Sequence, residues 1–276
     1  MIRLGRLLLS PWLLPRMPPL LAGLLAGLMA CLAPPPLRAA PLAYEPVGLG
    51  WTAEEVERAG RGALEVLLER AQLAGRLGCQ RHCERLARMF AQLVTQAQAQ
   101  QLHSGSGLRW TLIVVRLDDV EAFALPGGQV IIGETFADQL GSEATLAFVL
   151  AHEMAHSILE HERQALTFAR QLLPREVPRS VRDMYTEMEF NIGLVRAMEP
   201  VLHQGEFEAD ELGLILAALA GYDPLRQLGL LEQEAAEEPA QTRRIVSTHP
   251  SARERLARLR ALLPLARRQM PLPAGP

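Results

Sequence analysis

Cysteine is scarce in this chain: three occur in 276 residues, at Cys31, Cys79 and Cys83. Four ligands at the spacing of a structural zinc site are therefore absent, even counting His82 between the last two. Runs of β-branched residues are few, so the pattern predicts an α+β fold, mainly α-helical, with a small β-sheet. An excess of one charge is missing too. The net charge is −3, and nothing points to a nucleic-acid partner or an acidic substrate. No internal repeat is present. The hydrophobic share of 49% is still enough for a sizeable core.

The first fifty residues do not read as part of that core. Arg3 and Arg6 precede an apolar run from Leu20 to Ala33, then Pro34-Pro35-Pro36. The run falls short of the roughly 20 residues that span a bilayer, and its basic start is that of an export signal. The rival is an uncleaved anchor helix from about Leu7 to Leu32. Leu28-Met29-Ala30-Cys31 resembles a lipobox, in which Cys31 is lipidated; plain cleavage after Ala39 or Ala40 fits the small-residue rule poorly. The expected organisation is an export signal over 1–31, a Pro-rich tether over 32–50, one folded domain over 51–270 and a disordered tail over 271–276.

The chemistry gathers in Phe148 to His161, FVLAHEMAHSILEH. His152 and His156 are four residues apart, which on a helix puts them on one face about 6 Å apart. Two imidazoles so placed reach one zinc ion at about 2.0–2.1 Å. Glu153 lies about 100° round the helix and flanks the metal, where a carboxylate takes a proton from a zinc-activated water. The apolar residues on both sides predict a buried helix, and buried His and Glu need partners. Gly141-Ser142 caps this helix, which is expected to run to about Leu172.

Around it, Thr52-Ala53-Glu54-Glu55 is a capping box that opens a helix to about Leu77, and a second helix runs from about Gln80 to Gln101. Export would allow Cys79 and Cys83 to pair; helical spacing brings them into the disulfide range but aims them poorly. Leu108 to Val115 reads as a strand. Glu121 to Gly133 reads as two short strands round a Pro-Gly-Gly turn, a sheet edge able to accept an extended peptide. Residues 175–200 read as a helical excursion over the cleft. Gly205-Glu206-Phe207-Glu208-Ala209-Asp210 opens an apolar helix from Leu212 to Ala220. In Thr248-His249-Pro250, proline at the first helical position would make His249 the N-cap of a helix that Pro264 ends or kinks.

Together EAFALPGG, HEMAH, EFEAD and THP resemble the gluzincin peptidases that include the CAAX prenyl proteases, the HtpX-type heat-shock proteases and the LoiP-type bacterial lipoprotein proteases. The likeness covers about residues 50–265 and is nearest to the LoiP-type branch. It implies a zincin-like catalytic domain holding one Zn2+ through His152, His156 and Glu206, with Glu153 as general base. It implies that Asp210 lies behind the ligands, that His249 stabilises the oxyanion, and that Arg255 assists. Glu121 stands where the family usually has Asn, and Ser251 where it often has Pro. Helical geometry lets only one of Glu206 and Glu208 face the metal, puts Asp210 on the face of Glu206, and turns His161 about 140° from His156. The direction of His203 stays open.

The expected function is a zinc metalloendopeptidase of the bacterial periplasm, cleaving misfolded or misassembled envelope proteins. The chain would be membrane-anchored through its N-terminal segment as an outer-membrane lipoprotein; soluble periplasmic and inner-membrane-anchored forms are the alternatives. Expected partners are protein or peptide substrates and the envelope assembly machinery. The rival function is a non-catalytic, zinc-binding assembly factor or chaperone, which has no need of Glu153.

Overall fold

A computed structural model describes residues 50–102, 107–238 and 247–271. The expected export signal with Cys31, the tether to residue 49 and the tail from residue 272 lie outside them. The order of elements is α1 (Ala53–Leu73), α2 (Cys83–Ala99), β1 (Thr111–Val115), β2 (Ala122–Leu125), β3 (Gln129–Gly133), α3 (Glu134–Gln139), α4 (Glu143–Ile158), α5 (His161–Leu172), α6 (Val181–Phe190), α7 (Ile192–Leu219), α8 (Pro224–Gln227), α9 (Gly229–Glu237) and α10 (Ala252–Gln269). The mainly helical α+β expectation holds.

Helix α4 is apolar on every side and is the central beam of the fold, as an all-round hydrophobic helix must be. Its Leu146, Leu150 and Met154 pack with Leu86, Met89 and Leu93 of α2 and Val130 and Ile132 of β3. Each side chain of this kind contributes about 1.5–3 kcal/mol when fully buried. Helix α7 crosses α4 so closely that a Cβ on Gly213 would sit 2.9 Å from the His152 amide nitrogen and 3.0 Å from its Cα. That contact brings the two motif-bearing helices together, and only glycine permits it.

The sheet has the order β1-β3-β2, with β1 parallel to β3 and β2 antiparallel to it. Gly127 and Gly128 make the hairpin turn at φ 93° and 91°, where side chains are strained. Strand β2 is an edge of this sheet and runs beside α4, where the Ser157 hydroxyl donates to the Leu125 carbonyl at 3.4 Å.

Several boundaries differ from expectation. The metal helix stops at Ile158, because Glu160 takes a left-handed conformation (φ 54°) and α5 starts afresh at His161. Helix α7 begins at Ile192 and runs unbroken past Pro200 and Gly205. The N-cap of α10 is Ser251, not His249; its hydroxyl accepts from the Glu254 amide and Glu254 reaches back, a capping box that stood in the sequence. Pro264 lies inside α10. Residues 175–200 are largely helical, as expected, and Val181 and Met184 of α6 form a core with Val56, Leu166, Ala169, Leu194 and Met198.

Cys79 and Cys83 are joined by a disulfide with Cα atoms 5.7 Å apart. The helix starts only at Cys83, after His82 in a left-handed conformation (φ 58°), so the two cysteines do not share a helix face. Beneath them the buried Glu134 carboxylate accepts the amides of Gln80 and Arg81 at 2.7 and 2.6 Å.

Candidate metal centre

Helix α4 supplies His152, Glu153 and His156; helix α7 supplies Glu206 and Asp210; the segment before α10 supplies His249, and α10 itself Arg255. The structure brings all seven together. The Nε2 atoms of His152 and His156 are 3.1 Å apart. Glu206 Oε2 lies 3.6 Å from His152 Nε2, and Oε1 lies 3.5 Å from His156 Nε2. A tetrahedral ion with bonds of about 2.05 Å has donor–donor edges of about 3.3 Å, close to all three separations. Glu206 is buried, and its Oε2 has no hydrogen-bond partner. A buried carboxylate oxygen without a donor is costly unless a cation meets it, so the donor set fits a metal ion.

Behind the three donors lies a chain of charge. His152 Nδ1 is 3.0 Å from Asp210 Oδ1. The Arg255 guanidinium donates to both Asp210 oxygens, at 2.8 and 2.6 Å, and lies 3.9 Å from Glu206 Oε2. Burial pulls the His152 imidazole down, but the Asp210 and Glu206 carboxylates outweigh it and hold it up at about 10 without a metal. Burial, with the His152 charge added, pulls His156 down to about 3. Burial would raise Glu206 and Asp210; the histidines lower Glu206, and Arg255 followed by His152 lowers Asp210. Without a metal the carboxylates thus hold a proton on His152, the positive charge that a cation would replace.

Burial raises the Glu153 carboxyl above the ordinary range, against a backbone hydrogen bond with Ala124 of β2. A base with a raised pKa is a stronger proton acceptor nearer neutral pH. His249 Nε2 lies 3.5 Å from Glu206 Oε1, with its side chain 40% exposed, and its Nδ1 is 3.0 Å from the Thr248 hydroxyl. Burial lowers its pKa below that of a free imidazole, with the Glu206 carboxylate opposing. The segment that carries it is tied to α7: His203 Nε2 meets the Ser247 carbonyl at 2.8 Å, and Glu199 accepts the Ser247 amide at 2.6 Å. His203 thus faces this segment.

One residue near the site, His161, departs from the helical expectation, while Glu208 faces away from the donors as expected. His161 does not point away from His156; their Nδ1 atoms are 3.0 Å apart. An offset of 140° holds only on one continuous helix, and the turn at Glu160 breaks it. Glu208 reaches His161 Nε2 at 3.3 Å.

Comparison with known proteins agrees with this geometry. Peptidase family M48 matches residues 80–263. The mitochondrial metalloendopeptidase OMA1 of Schizosaccharomyces pombe is 32% identical over 167 residues, covering 58% of this chain and 49% of that protein. The Arabidopsis thaliana protein of the same name is 29% identical over 161 residues, covering 54% and 30%. The beta-barrel assembly-enhancing protease of Escherichia coli K12 is 26% identical over 157 residues, covering 52% and 32%. The chain spans about half the length, or less, of these relatives.

Proposed function

The chain belongs to peptidase family M48, and from that membership and the donor geometry we propose that it is a zinc-dependent metalloendopeptidase. The observation that carries the reading is the convergence of His152 Nε2, His156 Nε2 and the unpartnered Glu206 oxygen, with Glu153 alongside. A zinc ion held there by His152, His156 and Glu206 would polarise a peptide carbonyl and acidify a water. Glu153 takes the proton and delivers it to the leaving amine. A Thr248 hydroxyl donating to His249 Nδ1 leaves the imidazole proton on Nε2, the atom that faces the pocket, where it stabilises the developing oxyanion. Arg255 fixes Asp210, and Asp210 orients His152. The edge strand β2 suits an extended peptide added alongside α4.

The cell envelope is the proposed setting, with misfolded or misassembled envelope proteins as substrates. The export-like N-terminal segment supports it, as does the name of the Escherichia coli relative. Among the described residues no helix is long and apolar enough to cross a membrane. The proposed anchor is the N-terminal segment, through Cys31 as a lipoprotein of the LoiP type, because Leu28-Met29-Ala30-Cys31 resembles a lipobox.

Glu153→Gln tests the reaction. It is near-isosteric and lacks the base, so casein cleavage should be lost while zinc stays bound. Cleavage within about tenfold of wild type, a barrier change of only about 1.4 kcal/mol, would contradict the mechanism.

A further inference from the structure

His156 turns Nε2 to the pocket, so its other nitrogen must be accounted for. An imidazole that offers the Nε2 lone pair to a cation carries its proton on Nδ1, and that buried N–H needs an acceptor. Among the described residues its hydrogen-bond partner is His161 Nδ1, at 3.0 Å, with the rings 80° apart and their centroids 4.9 Å apart. To accept there, His161 carries its own proton on Nε2. That nitrogen lies 3.3 Å from Glu208 Oε2, and the other Glu208 oxygen accepts from Gln204 at 2.8 Å. One proton arrangement satisfies the whole row: His156 donates to His161, which donates to Glu208.

The fold makes room for this row. The left-handed Glu160 swings the chain from α4 into α5 and sets His161 back against His156. On α7, Gly205 faces the ring: a Cβ there would sit 3.4 Å from His161 Cγ. His161 itself is buried.

We propose that His161 and Glu208 are positioning residues for the ligand His156, the counterpart on one side of the pocket of what Asp210 does for His152 on the other. They lock the His156 tautomer and hold its ring in plane with the pocket. Neither touches substrate. The inference rests on the metal-centre reading, and its test separates the two.

The measurement is the zinc dissociation constant of the full chain, by competition with a chromophoric chelator, alongside the thermal melt of each zinc-free protein. His161→Leu removes the acceptor and should weaken zinc binding by about 10–100-fold, the usual effect of losing a group that orients a ligand. His161→Asn restores an acceptor, because its Oδ1 stands as many bonds from Cα as the imidazole Nδ1. It should recover most of that loss, although both variants remove the same packing. Glu208→Leu leaves His161 in place and should weaken binding several-fold, less than His161→Leu. Zinc binding by His161→Leu within twofold of wild type would overturn the proposal. So would equal losses in His161→Asn and His161→Leu, which mark a packing role, or an unchanged Glu208→Leu. A wild-type chain that binds no zinc would instead overturn the metal-centre reading.

Discussion

The crossing of α4 and α7 and the segment 247–250 both face the pocket, and they are built differently. At the crossing, backbone lies on backbone at Gly213, and the donors His152 and Glu206 are buried. The segment 247–250 is hung from α7 by His203 and Glu199 and leaves His249 40% exposed. Packed interiors have little slack, whereas polar ties at a surface open at small cost. On the proposed reading, the difference teaches that holding the ion and stabilising the reacting group would be carried by separate parts. They should therefore fail separately.

Damage to the crossing should have the larger effect. Gly213→Ala places a methyl group against the His152 backbone, costs about 1–3 kcal/mol by overpacking, and moves Glu206 and Asp210 away from α4. Thermal melts and zinc titration should show a lower Tm and zinc affinity reduced by more than tenfold. An unchanged zinc affinity would show that the crossing is not what sets the donors.

Damage to the segment should spare the ion. His249→Ala should lower kcat by about 10²–10³, the effect of losing one oxyanion donor, with one zinc per chain retained. A rate above wild type would show that His249 obstructs the pocket rather than serving it.

A carboxylate remote from both regions sharpens the comparison as a control. Burial raises Glu134, but the Arg81 and Gln80 amides, then the Arg81 charge, outweigh it and leave its pKa lowered. A folded-state pKa below the unfolded value of about 4.5 means that the unfolded chain binds more protons through that window. Its stabilisation is present above about pH 4.5 and is lost as pH falls through the folded value. Glu134→Gln should cost about 1–3 kcal/mol at pH 7, with a deficit that shrinks on acidification and no change in zinc affinity. A deficit constant with pH would contradict the assignment.

Much of the pocket was legible in the sequence because it follows from helical periodicity inside single helices. His152 and His156, four apart, share a face, and so do Glu206 and Asp210. What periodicity cannot see is where a helix stops. Nothing in Leu159-Glu160-His161 spells a turn, since Glu160 is a good helix former held left-handed by its surroundings, and His161 was misplaced with it. Gly205 reads as a helix start because glycine weakens helices, yet it lies inside α7 with the His161 ring beside it. Pro200 and Pro264 sit inside helices that tertiary packing holds despite the missing amide bond. The cap of α10 is legible as Ser251-Ala252-Arg253-Glu254, whereas Pro250 at the first helical position implies a cap two residues too early.

The central claim is that one zinc ion is held by His152, His156 and Glu206. Metal analysis of the purified chain and of Glu206→Ala, at equal protein concentration after removal of loosely bound metal, tests it most directly. The account predicts one zinc per wild-type chain and none in Glu206→Ala. Zinc retained in full by Glu206→Ala would contradict it.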